Sequence, residues 1–290
     1  ARDCVRQERP GDFDATEQGL VDYETFVDRL SALANLYPDV AIATVVEPTA
    51  FASTVSNGGV PISGCYQARQ LQLHEQSLNY ALKRLAGNAN IFTYLDYGDP
   101  SWPGSYNGDA ALIEMMQSSQ LEDGNFSVEG LSFNVGSYVP LDEPFMLVQD
   151  NSGEPYELPK GIQSIKAHVD YLQGYIQNHT NVQLPILVDT ARNGWGGELR
   201  PRMAAVGEGA RVERRLYRES WCNSRGAGVG ERFRTDAAYQ YFWLMPPSIS
   251  HGNTVLACNE NFNPDWYSPK LNAPAAGMWF HDYFMDLVNN

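Results

Sequence analysis

The stretch that most constrains the fold is Val40-Ala41-Ile42-Ala43-Thr44-Val45-Val46, which runs straight into Glu47-Pro48-Thr49. Its seven residues are nearly all apolar or β-branched, with no polar alternation. Such a run reads as a strand buried on both faces, and strands of that kind belong to parallel sheets covered by helices. Pro48 has no N–H to give to a ladder and ends the strand. In α/β folds the reacting groups gather at the carboxyl ends of the strands. Glu47 and Thr49 stand at such an end, where a catalytic acid is expected, and Thr49 is not an acid.

Four further strands are predicted, over residues 90–96, 131–135, 184–189 and 237–244. Helices are predicted over 21–37, with an apolar face of Phe26, Val27, Leu30, Leu33, Ala34 and Tyr37, and over 63–85, 109–117 and 161–178. A last helix, 275–288, carries Trp279, Phe280, Phe284, Leu287 and Val288 on one face. Residues 5–19, 98–104, 139–160 and 246–272 read as loops, and 190–236 as a Gly- and Arg-rich segment with little periodicity. Strands alternating with helices imply an α/β fold with a parallel sheet, open or closed into a barrel. A chain of 290 residues can bury a large core in one domain or in two smaller ones.

A net charge of −15 argues against nucleic acid as a partner. Charged residues are scarce (19%), whereas 16 Tyr and 6 Trp give an aromatic content suited to stacking on sugar faces, or simply to a Tyr-rich surface. Cys4, Cys65, Cys222 and Cys258 allow three pairings and lack the C-x-x-C spacing of a metal site, so neither metal nor cofactor is expected. Two glycosylation sequons begin at Asn125 and Asn178. With the even cysteine count they point to a secreted, oxidising setting. There is no apolar run of membrane-spanning length. The start at Ala1-Arg2-Asp3-Cys4 reads as that of a processed or partial chain.

Several motifs then fall in order. They are Arg2-Asp3-Cys4, Glu47-Pro48, Leu95-Asp96-x-Gly98 with Trp102, Asn134-Val135-x-x-Tyr138 and Val188-Asp189-x-x-Arg192-x-Gly194. Trp221-Cys222-Asn223-x-x-Gly226-x-Gly228 and Ala273-Pro274-x-Ala276-Gly277-x-Trp279-Phe280-x-x-Tyr283-Phe284 follow. Together they resemble glycoside hydrolase family 6, the inverting cellulases, over residues 1–290 as one domain with 190–236 as an inserted loop region. The resemblance implies a distorted (β/α) barrel of which this chain carries about five parallel strands, lacking the family's first two. A remnant of that kind leaves a raw sheet edge, so another chain, or a cleaved fragment of the same precursor, is expected to complete the barrel. The resemblance also implies the pairing Cys4–Cys65 and Cys222–Cys258, each loop contributing roughly 3–4 kcal/mol in the chain-entropy picture.

Inverting glycoside hydrolysis needs a carboxylic acid to protonate the leaving oxygen and a carboxylate to activate water on the opposite face. By resemblance the acid is the Asp of Glu-Pro-Asp, and this chain has Thr49 there, a hydroxyl that cannot deliver a proton near neutral pH. Asp3 preserves a second carboxylate that keeps the acid protonated and orders the water. The position argued to supply the base holds His251, and the sugar-contacting Lys and Glu beside it become Met245 and Ile249. The small Ser of a flexible loop becomes Arg9, and a His beyond the second strand becomes Asp99. Trp102 and Trp221 match sugar-subsite positions, unless they are core residues; Asn134 and Arg192 are further candidates for contacting substrate. These departures cluster in the cleft while the framework survives, which is the pattern of lost catalysis. The opposing reading is a rearranged acid/base set of Glu47, Asp3, Asp96 and His251, the last a competent base near neutrality. For Glu47 and Asp96 the plainer role is bonding the loops at the strand ends, and for His251 that of an ordinary loop histidine.

Arg192 to Arg234 holds ten of the chain's twenty basic residues and five acids, about +5, which leaves −20 for the rest. This segment is either a solvated loop or a docking surface for an acidic partner, such as another copy or an anionic glycan. The sequence thus reads as an extracellular protein with a glycosidase framework and no general acid. It would bind β-glucan or another glycan, or serve as a structural part of an assembly, with an active β-1,4-glucan hydrolase as the competing function.

Overall fold

The computed structural model describes Phe13 and residues 16–57, 71–99, 107–141, 148–149, 155–156, 164–194, 222–224, 227–232, 234–235, 239–253 and 270–290. In chain order the elements are α1 (Glu17–Asn35), β1 (Ile42–Val46), α2 (Ala50–Asn57), α3 (Leu73–Ala86), β2 (Ile91–Gly98), α4 (Gly108–Ser118) and β3 (Gly130–Phe133). They continue with β4 (Val148–Gln149), β5 (Pro155–Tyr156), α5 (Ile165–Thr180), β6 (Ile186–Asp189), β7 (Arg234–Thr235), β8 (Tyr239–Phe242) and α6 (His281–Asn289). Contacts divide the chain into two compact units, residues 1–98, 102–133 and 175–187, and residues 99–101, 134–174 and 188–290.

In the first unit the sheet order runs β1-β2-β3 and on to the start of β6. β1 pairs with β2 from Ile42↔Ile91 to Val46↔Leu95, and β2 with β3 from Tyr94↔Gly130, all parallel. Gly130 is required there, because a Cβ would stand 2.4 Å from the Tyr94 ring. Thr16 starts α1 by accepting the Gly19 N–H on its hydroxyl. At the other end of α1, Asn90 Nδ2 donates to the carbonyls of Ala34, Tyr37 and Val40 and satisfies the chain where it turns into β1. α1 and α3 lie against each other, joined by a buried Ser31–Asn88 pair and an exposed Arg84–Asp28 ion pair.

The second unit takes up the end of β6, then β8, then β7, which runs antiparallel to β8. Its core joins Tyr138, Ala227, Ala273, Phe280, Tyr283 and Leu287. The five predicted strands are present and parallel, within two or three residues of their expected limits.

Several expectations are corrected. β1 is not buried on both faces: Val46 is buried, but Ala43 is exposed and Ile42, Thr44 and Val45 are half-buried, because β1 is the end strand of its sheet. The buried stripe of α1 is Tyr23, Val27, Ser31 and Ala34, whereas Phe26, Leu30, Leu33 and Tyr37 are 44%, 38%, 53% and 57% exposed. The last helix begins at His281, not residue 275. Gly277 adopts φ +81, and the backbone before the helix is spent on Ser248–Ser250, with Ile249 bridged to Trp279. Trp279 and Val288 are exposed, and the buried side of α6 is Tyr283 and Leu287. The loop at 139–160 contains the antiparallel β4–β5 pair, and α2, for which no periodicity was read, buries Phe51 and Ala52. The predicted helix start at residue 63 lies outside the described residues, where α3 begins at Leu73.

Candidate functional site

In the first unit the ends of β1 and β2 meet through a carboxylate. The Thr49 N–H donates to Asp96 Oδ2 at 2.7 Å, and the Ser132 hydroxyl donates to Asp96 Oδ1 at 2.8 Å. Asp96 and Ser132 are register partners on β2 and β3, and Asp96 is fully buried. A bulge after Asp96, with Gly98 at φ +91, ends the regular pairing there. Glu47 and Thr49 sit at φ +46 and +71. Positive φ strains a side-chain-bearing residue, a β-branched one most of all, by about 1–3 kcal/mol, and such strain gathers at functional sites. The charged acceptor at Asp96 holds this turn in place.

In the second unit the end of β6 is organised by Asp189. This buried carboxylate accepts the N–H of Gly136 at 2.9 Å, Ala191 at 3.0 Å, and Leu244 and Met245 at 3.3 Å. Burial pushes its pKa above the usual carboxylate range, against the pull of those N–H groups and of Arg192. Asn134, at φ +65, donates to the Asp189 carbonyl and accepts the Val139 N–H, so both ends of its amide are engaged by the fold. Asp99 accepts the Ser137 hydroxyl at 2.8 Å.

Arg192 and His251 are brought together, both buried. Arg192 Nη1 lies 3.1 Å from the Tyr138 hydroxyl and 3.4 Å from His251 Nε2, and Nη2 donates to the Pro246 carbonyl. His251 Nδ1 is 3.3 Å from the same Tyr138 oxygen. The Asn223 backbone N–H also points at His251 Nδ1, 3.4 Å away. The side chain of Asn223 clamps this segment, accepting the His251 N–H and donating to the Gly252 carbonyl. Beside it Cys222 is buried and disulfide-bonded. The Tyr283 hydroxyl donates to the Ser224 carbonyl and its pKa is raised well above the usual value, chiefly by burial.

The structure therefore joins Thr49 to Asp96 and Arg192 to His251. Asp3, Arg9, Trp102, Trp221, Cys4, Cys65 and Cys258 lie outside the described residues, as does most of the 192–234 segment. Asn125 and Asn178 are exposed, the first in a turn and the second in the last turn of α5. Among the described residues no cluster of His, Cys, Asp or Glu could hold a metal, and no helix is long and apolar enough to cross a membrane. The roles of Asp189, Ser132 and Tyr138 were missed as site features. Asp189 ends the apolar run 184–188 just as Glu47 and Asp96 end theirs, and that repeat was the available signal.

A family description, "Glycosyl hydrolases family 6", matches residues 1–290. Exoglucanase A of Cellulomonas fimi is 31% identical over 337 aligned positions, which take in all of this chain and 38% of that protein. Exoglucanase 3 of Agaricus bisporus is 25% identical, with 61% of its length covered, so the chain spans less than two thirds of these relatives. Among solved structures, the catalytic domain of Cellulomonas fimi Cel6B superposes with a TM-score of 0.82 at 26% identity, over 99% of this chain and 74% of that one. The catalytic core of the cellobiohydrolase Cel6A from Chaetomium thermophilum gives 0.75 at 22% identity over 99% and 73%, a likeness of fold. A family match over every residue, on a sheet of five parallel strands whose carboxyl ends carry the buried carboxylates, means that this chain belongs to glycosyl hydrolases family 6.

Proposed function

We propose that this chain is a family 6 glycosidase framework that binds β-1,4-glucan without hydrolysing it, a secreted glycoprotein component of an extracellular assembly. The observation that carries the reading is at the end of β1, where Thr49, the residue that the resemblance aligns with the acid, has its backbone N–H tied to Asp96. Protonating a glycosidic oxygen near neutral pH needs a carboxylic acid of raised pKa, and a hydroxyl is far too weak an acid to serve. Asp96 is a poor substitute, since both of its oxygens already accept hydrogen bonds. His251, which the resemblance aligns with the base, is not a carboxylate and is buried 3.4 Å from the Arg192 guanidinium.

Glucan binding does not need the lost acid. Trp102 and Trp221 are the proposed stacking platforms, and a relative's name, 1,4-beta-D-glucan cellobiohydrolase C of Aspergillus niger, points to a β-1,4-glucan. The disulfide at Cys222 and the exposed sequons at Asn125 and Asn178 support secretion. Completion of the barrel by a further polypeptide, and self-assembly through residues 192–234, are the proposed protein contacts. One observation favours the competing reading of an inverting hydrolase with a rearranged acid: Glu47 is half-buried at the same strand end, with its backbone at positive φ.

Titration with cellohexaose while following tryptophan fluorescence tests the binding reading. A saturable change that is lost on Trp102→Ala and Trp221→Ala is expected. No change for the unmodified protein would reduce it to a protein scaffold.

A further inference from the structure

Arg192 carries a positive charge into the interior of the second unit, where it is 1% exposed. Nη1 is shared among the Gly136 carbonyl, the Tyr138 hydroxyl and His251 Nε2, and Nη2 donates to the Pro246 carbonyl. The Tyr138 ring covers one face of the guanidinium, with Cζ 5.5 Å from the ring centroid. None of these partners is an anion, and among the described residues no carboxylate lies within ion-pair distance of Arg192. Its Nε has no hydrogen-bond partner, and neither has Nδ2 of the next residue, Asn193, itself 5% exposed. Two consecutive residues thus each hold an unanswered N–H donor below the surface.

A lysine in such a place could shed its proton, but a guanidinium keeps its charge. That charge needs a negative neighbour, because burial without one is strongly unfavourable. Asp189 lies close enough for Arg192 to pull on its pKa, yet its carboxylate accepts four backbone N–H groups and burial raises its pKa. Nor does His251 help. The Asn223 N–H points at its Nδ1 and Arg192 Nη1 at its Nε2, and a neutral ring accepts at one nitrogen only. A buried donor without a partner calls for a water or an ion. A water would satisfy Nε and leave the charge unbalanced, whereas an anion meets both needs. The segment that carries His251 is exposed at Pro246 and at Asn253, so the surface is a few residues away.

We propose that the second unit holds one small monovalent anion, of the class of chloride, beside Arg192, with Arg192 Nε and Asn193 Nδ2 as its donors. One negative charge matches one guanidinium. The ion is small because both donors are buried. Nη1 and Nη2 are already engaged, which leaves the Nε edge of the fork for it. Such an ion is a fixed part of the folded state, whether the cleft binds glucan, cleaves it or does neither.

The test exchanges gluconate for chloride at constant ionic strength and follows Tm and the line width of the chlorine NMR signal. Chloride rising to about 300 mM should lift the Tm of the unmodified protein by roughly 4 °C along a saturating curve, as binding to the folded state alone requires. The protein should broaden the chlorine line, and bromide should narrow it again by displacement. His251→Asp supplies a carboxylate from within and should abolish both the chloride dependence and the broadening. Its Tm should exceed that of the unmodified protein at low chloride, and the gap should close as chloride rises. His251→Asn supplies no charge and should keep both effects. A Tm indifferent to chloride with no broadening would mean that Asp189 alone balances Arg192. Effects that survive His251→Asp would place the anion elsewhere, and effects that vanish in His251→Asn would assign it to the imidazole. Each of these three results overturns the proposal, and none depends on the glucan site.

Discussion

At the ends of β1 and β2, Asp96 accepts one backbone N–H and one hydroxyl, with no cation among those partners. At the end of β6, Asp189 accepts four backbone N–H groups and lies within the influence of Arg192, which in turn faces a histidine. In both clusters a buried carboxylate ties strand-end turns together. In both, the adjoining position that the family resemblance marks as reactive carries a residue other than a carboxylic acid, Thr49 in one and His251 in the other. The carboxylates that tie these turns are thus distinct from the two positions that the resemblance marks. The clusters differ in what stands beside them: Thr49 brings its backbone N–H to Asp96, whereas His251 brings an imidazole to the buried Arg192 guanidinium.

The largest expected effect tests whether the carboxylates are structural. Asp189→Ala orphans four N–H groups and should cost roughly 3–5 kcal/mol in denaturant unfolding, while Asp96→Ala, which takes the acceptor from the Thr49 N–H and the Ser132 hydroxyl, should cost roughly 2–3 kcal/mol. Equal costs would erase the distinction between the clusters. The next effect concerns Arg192. His251→Asp places a carboxylate against a buried cation and should raise stability by about 1 kcal/mol, whereas Thr49→Asp adds a second carboxylate beside the buried Asp96 and should lower it by a similar amount. Matching signs from the two substitutions would contradict the comparison.

A smaller effect appears with pH. Because burial raises the folded pKa of Asp189 above its ordinary value of 3.8, folding favours its protonated form. Its contribution is fullest below that value and falls as pH rises through the window up to the raised folded pKa. Asp28 has the opposite sign: its hydrogen bond from Arg84 lowers the pKa, so its contribution is present above 3.8 and lost as pH falls through the lowered value. The stability of the wild type relative to Asp189→Asn should therefore decline as pH rises from about 4, and relative to Asp28→Asn it should grow. Since Asp28 is exposed, its effect should be the smallest of all.

The fold was legible where burial and periodicity agree. The apolar runs ending in Glu47, Asp96 and Asp189 each marked a strand and its carboxyl end. The burial of β1 was misread because β1 is the end strand of its sheet, and the face of α1 because its apolar residues form two adjacent stripes of which one is buried. Apolar spacing cannot tell which of two adjacent stripes will be covered. The last helix was read too long because Trp279 and Phe280 continue its pattern, while Gly277 and the bonds to Ser248 and Ser250 hold that backbone extended. In the site, Thr49 and His251 were singled out by the resemblance, the first from its motif and the second by alignment from Met245 onward. Their burial and their partners were not, since those depend on backbone N–H groups and on Tyr138, more than a hundred residues before His251 in the chain.

Anomer-resolved NMR of cellohexaose incubated with the unmodified protein tests the central claim most directly, with Thr49→Asp, His251→Asp run alongside. The account predicts no product above the buffer blank from the unmodified chain and measurable inverted-anomer product only where both carboxylates have been returned. Inverted product from the unmodified chain, at a rate that the double substitution does not raise, would contradict it.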